Sequence, residues 1–105
     1  MGSTIVLIYT TVGSHEAARL LARAAITQRH AACANIMPGT IAVYEWEGRL
    51  EESAEVGILF KTTAETGRAL VDFLLVEHPY KVPAIIIWNG ECNKGFAYFM
   101  QGLLP

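Results

Sequence analysis

Ala31-Ala32-Cys33-Ala34-Asn35-Ile36-Met37-Pro38, followed at once by Tyr44-Glu45-Trp46-Glu47-Gly48, is the stretch that decides how this chain folds. Residues 33–37 and 41–47 read as extended, and Pro38-Gly39 between them marks a bend rather than a chain reversal. Gly48 and Arg49 then turn the chain into a second long strand, Leu50 to Lys61. The resulting hairpin, Ile41 to Lys61, is longer than a small domain needs. Its edges must be paired or covered, and pairing with a neighbouring subunit does both.

Upstream, Ile5-Val6-Leu7-Ile8-Tyr9-Thr10-Thr11 is too apolar to alternate and reads as a strand covered on both faces. Ser14 is placed as an N-cap, with Glu16 in the first helical turn. Ala17, Leu20, Leu21, Ala24 and Ala25 recur at helical spacing, with Arg19, Arg23 and Gln28 between them. Downstream, Thr62-Thr63-Ala64-Glu65 fits a capping box with Thr62 at the N-cap and Glu65 at N3, opening a helix through Glu77. Leu70, Val71, Leu74 and Leu75 form its apolar stripe. His78 precedes Pro79, which disfavours helical geometry and ends the helix. Ala84 to Trp88 is a final strand, and Asn93 to Leu104 fits strand or helix equally. Strand, helix, strand, strand, helix, strand is the split βαβ order of a ferredoxin-like α+β sandwich.

The chain has 105 residues, enough for one domain over residues 1–105 with a modest core. Hydrophobic residues make up 52% and charged residues 17%, against a usual charged share of about 25%. A domain of this size buries only about 60–70% of its unfolded surface, so an apolar patch is left outside the monomer core. Such patches are usually interfaces, and an obligate oligomer is expected.

Net charge is −2, without runs of one sign, which argues against nucleic acid and anionic membranes. No stretch reaches the roughly 18 apolar residues of a membrane helix, and Met1-Gly2-Ser3-Thr4 does not read as a signal peptide. Gly2 lacks the Ser or Thr that myristoylation wants at position six, where Val6 stands. Cys33 and Cys92 are far apart and read as reduced thiols, pointing to the cytoplasm. Lys94-Gly95-Phe96-Ala97-Tyr98-Phe99 matches part of the RNA-recognition RNP1 pattern, but it follows the fourth strand rather than lying on the third. With the acidic balance, RNA binding is not expected.

Two stretches could hold a metal. Cys33, among alanines, reads first as a small buried hydrophobe, and His30-Ala31-Ala32-Cys33 has no second pair to complete a tetrahedral site. His78 is the better ligand, because an imidazole beside the Glu77 carboxylate suits a divalent transition metal. The plainer role for His78 is capping carbonyls at its helix end. No Ser/His/Asp order, P-loop or paired carboxylates point to catalysis, so an enzyme is not expected.

Taken together, the Ala31–Pro38 segment, Tyr44-x-Trp46, Lys61-Thr62 and His78-Pro79-Tyr80-Lys81-Val82-Pro83 resemble the CutA family of divalent-cation tolerance proteins. The resemblance runs from about Thr11 to Tyr98. It implies the ferredoxin-like fold assembled as a homotrimer whose hairpins pair between subunits. It also implies a copper site built from a strand cysteine and a histidine pair. Here His78 matches the second histidine, Glu77 replaces the first, and Tyr9 stands at the cysteine position. Weak binding of copper or zinc, through His78, Glu77 and Cys33, is what remains. Ala84 likewise replaces the usual Glu after Val82-Pro83. Tyr44, Trp46, Lys61 and Tyr80 match the family and either line an intersubunit cleft or pack an interface. The alternative function is a trimeric signalling module, similar to PII-type proteins, that binds a small anion or nucleotide between subunits.

Overall fold

A computed structural model describes residues 2–105. Four strands, β1 (Ser3–Val12), β2 (Cys33–Trp46), β3 (Arg49–Thr62) and β4 (Ile86–Cys92), form one antiparallel sheet in the order β2-β3-β1-β4. That order is the ferredoxin-like one anticipated from the chain of elements. Helices α1 (His15–Thr27) and α2 (Ala64–Glu77) pack on the face carrying Val6, Ile8 and Val12. Ile58, Phe60, Leu70 and Leu74 complete that core, all fully enclosed.

Local chemistry accounts for most boundaries. Ser14 caps α1, its Oγ accepting from the Ala17 N–H at 3.0 Å. The α1 face is rotated from the expected one: Ala18, Leu21, Ala22 and Ala25 are buried, whereas Leu20 is 67% exposed. Alanines allow α1 to lie close to the sheet, so the small side of the helix turns inward. The cap of α2 is also shifted by one residue. Thr63 is the N-cap, and its Oγ1 accepts from the Thr66 N–H at 3.3 Å. Thr62 instead ends β3, buried, and donates its hydroxyl to the His30 carbonyl at 2.8 Å. Strand pairing with β1 holds Thr62 and leaves the capping role to its neighbour.

The ribbon turns at Glu47 and Gly48, both at positive φ (52° and 77°), between paired Trp46 and Arg49. Two central residues in the left-handed region match the twist of a tight hairpin, and Arg49, expected in the turn, opens β3. Pro38-Gly39 lies at a bulge between Met37 and Thr40, with Gly39 at φ 88°, so β2 bends and continues. β1 pairs with β3 only from Val56 to Thr62, so the rest of the ribbon projects beyond the sheet. The Cα radius of gyration is therefore 14.5 Å, above the roughly 13 Å of a rounded chain this long, and the long axis is 45 Å.

The tail resolves as a helix, α3 (Lys94–Leu103). Met100 and Leu104 pack with Phe96 against Ile5 and Leu7 on the second face of β1. Phe96, Tyr98 and Phe99 therefore lie on a helix, not on a sheet face where bases could stack. Only one end of this second face is covered. Tyr9, Ile86 and Trp88 share its uncovered remainder, and both Ile86 and Trp88 are exposed.

Candidate functional site

Where α2 ends, His78 turns its ring into the sheet. Pro79 forces residue 78 out of helical geometry (φ −66°, ψ 134°), and its N–H closes the last turn on the Leu74 carbonyl. The side chain is 7% exposed. Nε2 lies 3.0 Å from the Thr11 carbonyl and 2.9 Å from Thr10 Oγ1, while Nδ1 is 3.1 Å from the Tyr80 backbone nitrogen. A carbonyl only accepts and a backbone N–H only donates, so the proton sits on Nε2 and Nδ1 is the acceptor. His78 is thus neutral, with both ring nitrogens in use. Burial holds its pKa below 6.5, opposed by the Thr11 bond and by the Glu55 charge.

Glu55 was not legible in the sequence as part of this site. It stands on β3 opposite Thr40, beside the bulge, and accepts the Tyr80 hydroxyl at 2.5 Å. Burial, the bond to Glu55 and its charge push the Tyr80 phenol up to about 12, with the Tyr44 phenol a smaller influence. Tyr80 also meets the His78 ring edge-on at 4.9 Å. Together these contacts tie the His78–Lys81 loop to the root of the projecting ribbon. Glu55 is one of three carboxylates on β3, with Glu51 and Glu52, and nothing local links it to a residue 25 positions away.

The other expected residues are dispersed. Glu77 is exposed, and the carboxylate whose charge reaches His78 is that of Glu55. Cys33, partly exposed rather than buried, lies on β2 opposite Lys61, with β3 between it and the β1 residues that hold His78. Tyr9 projects from the sheet face opposite Thr10, its hydroxyl lying over Gly57, where a Cβ would come within 2.9 Å. Among the described residues, no group of three His, Cys, Asp or Glu side chains is placed to hold a metal ion. Within one chain, therefore, the residues present do not fit a metal site. Cys33 and Cys92 are both free, on strands separated by β3 and β1, too far apart to bridge.

Tyr44 and Trp46 lie on one face of the ribbon, opposite Glu51 and Arg49, and are half-exposed. Lys61 is at the other end of β3, its Nζ 5.6 Å from the centroid of Phe96. Twelve residue steps along the strand separate Arg49 from Lys61, about 40 Å at a rise of about 3.3 Å per residue. Trp46 and Lys61 therefore do not share a cleft within one chain.

The titration of His78 gives a checkable pH dependence. A native pKa below the unfolded value means that the unfolded chain binds more protons in the window between them. The His78 contribution is complete above about pH 6.5 and is lost as pH falls through its lowered native pKa. For Tyr80 the sign reverses, and stability is lost as pH rises from about 10 through about 12. Urea unfolding at pH 7.5 and 5 should show the first loss in the parent protein and a smaller one in His78→Ala.

A ferredoxin-like sheet with a projecting two-stranded ribbon and a C-terminal third helix defines an α+β class that solved structures share. The structure of CutA from Synechococcus elongatus PCC7942 superposes with a TM-score of 0.95 at 29% identity, covering all of this chain and 95% of that one. CutA1 from Pyrococcus horikoshii gives 0.90 at 32% identity over 95% and 98% of the two chains, and CutA1 from Oryza sativa 0.91 at 30% over 99% and 96%. The profile of the family described as CutA1 divalent ion tolerance protein matches residues 6–102. The divalent-cation tolerance protein CutA of Salmonella newport (strain SL254) is 37% identical over 82 residues, 78% of this chain and 71% of that protein. This chain belongs to the CutA1 divalent ion tolerance family.

Proposed function

We propose that the chain acts as a cytoplasmic, homotrimeric divalent-cation tolerance protein that binds transition metals weakly and carries out no catalysis. The observation that carries the assembly is the apolar surface a single chain leaves open. Ile41 (67% exposed), Val43 and Leu50 (76% exposed) share one face of the ribbon, and the edge strand β4 presents Ile86, Ile87 and Trp88. An exposed apolar ribbon and an unpaired apolar edge are complementary liabilities, and each can cover the other between copies. In this reading Lys61 meets Tyr44, Trp46 and Tyr80 only across subunits, which is how Trp46 and Lys61, about 40 Å apart in one chain, come to line one cleft.

His78 is the nitrogen donor of the proposed metal site, with Glu77 and Cys33 as the further candidates and assembly supplying what one chain lacks. Binding copper or zinc would require His78 to give up bonds to Thr10, Thr11 or Tyr80, so the expected affinity is micromolar rather than nanomolar. No helix among the described residues is long and apolar enough to cross a membrane. The anion- or nucleotide-binding alternative is not favoured, because the family and the curated relatives are those of divalent-cation tolerance. A thermal-shift panel decides between them. Cu²⁺ or Zn²⁺ should raise Tm while ATP and ADP leave it unchanged, and the reverse pattern would overturn the metal reading.

A further inference from the structure

Away from His78, an open groove of about 580 Å³ runs beside the first residues of β2, between α1 and α3. Ile26 and Ile36 line it with Phe99 and Cys33, and Arg19 and Arg23 stand on its α1 side. The two arginines are four residues apart, so one helical turn brings both guanidinium groups to the same face. Neither has an acidic partner: among the described residues the single ion pair joins Arg68 Nε to Asp72 Oδ1 at 3.8 Å. No carboxylate lines the groove. Two uncompensated forked donors above an apolar trough are an uncommon pairing on a surface whose other charges are scattered.

We propose that this groove binds a small amphipathic carboxylate, its apolar body against Ile26, Ile36 and Phe99 and its carboxylate held by Arg19 and Arg23. Guanidinium groups match carboxylates in bidentate geometry, and these charge-assisted bonds are about twice as strong as neutral ones. The volume falls within the range of about 300–1,000 Å³ typical of small-molecule sites, which are mostly apolar with a few polar anchors. A polyphosphate fits poorly, since the lining is mostly hydrocarbon and offers only two cations. Cys33 is also a candidate for the proposed metal site, but Arg19, Arg23 and Phe99 are not, so the test is run on metal-free protein and the groove stands or falls separately from that site.

Cys33 makes the test direct. The full-length assembled protein is labelled with N-ethylmaleimide, a neutral thiol reagent, and modification of Cys33 and Cys92 is followed by peptide mass spectrometry while decanoate is titrated in. Decanoate should slow Cys33 labelling saturably, at least fivefold, and leave Cys92 unaffected, because Cys92 does not line the groove. Decanol, which lacks the charge, should need about tenfold higher concentration for the same protection. The R19Q/R23Q variant alters only exposed side chains and should raise the decanoate requirement about tenfold while leaving that for decanol unchanged. The proposal is overturned if decanoate gives no saturable protection, if decanol protects equally well, or if R19Q/R23Q binds decanoate like the parent. It is equally overturned if Cys33 is inert to the reagent in the native assembly, since another copy would then cover the groove.

Discussion

In sedimentation equilibrium at micromolar concentration, the protein is expected at three times its 11.5 kDa chain mass, and Ile41→Glu/Leu50→Glu should sediment as a monomer. Fully burying an Ile or Leu side chain contributes about 1.5–3 kcal/mol, so covering these two at an interface is worth about 3–6 kcal/mol per chain. Replacing them by carboxylates removes that gain and adds charges that resist burial. At about 1.4 kcal/mol per tenfold, the loss of transfer free energy alone weakens association by a factor of roughly 10² to 10⁴. Neither residue belongs to the core of the single chain, so the monomer should keep its far-UV circular dichroism. Because assembly and stability are linked, the parent Tm should also rise with protein concentration. A parent that is monomeric at micromolar concentration would sink the assembly and the intersubunit cleft with it.

The second large effect is expected at His78. Replacement by Ala removes both ring nitrogens and strands the buried Thr10 hydroxyl, the Thr11 carbonyl and the Tyr80 N–H. Each polar group left unsatisfied in a buried place costs about 1–3 kcal/mol, and partial access of water to the loop reduces the sum. A total loss of about 3 kcal/mol is expected in urea unfolding, with the proposed trimer unaffected because the ribbon and β4 are untouched. Glu77→Gln, one residue away but exposed, should change stability by no more than about 0.5 kcal/mol. If His78 is also the metal donor, His78→Ala loses most of the copper-dependent thermal shift as well. Copper binding equal to the parent's would move the site elsewhere, with Cys33 the next candidate. A His78→Ala stability loss below 1 kcal/mol would mean that the ring's bonds to β1 contribute little.

Much of this molecule is decided by short-range chemistry and so was readable along the chain. Ser14 three residues before Ala17, the His78-Pro79 stop and the bend at Pro38-Gly39 each depend on neighbours a few positions away. Element order then follows from hydrophobic patterning, and with it the sheet order β2-β3-β1-β4. Tertiary structure decided what local rules leave degenerate. Thr62 and Thr63 both carry a hydroxyl that can cap, and although Thr62 completes the capping box with Glu65, strand pairing claims it. Either flank of α1 is apolar enough to bury, and close approach to the sheet selects the alanines over Leu20. The tail fits strand or helix by pattern alone, and packing of Met100 and Leu104 on Ile5 makes it a helix. At the candidate site, Glu77 is the carboxylate adjacent to His78 in sequence, yet the one that acts on it is Glu55, bonded to Tyr80 beside the ribbon root. That pairing is set by where the ribbon leaves the sheet, a distance in space that no spacing in the sequence encodes.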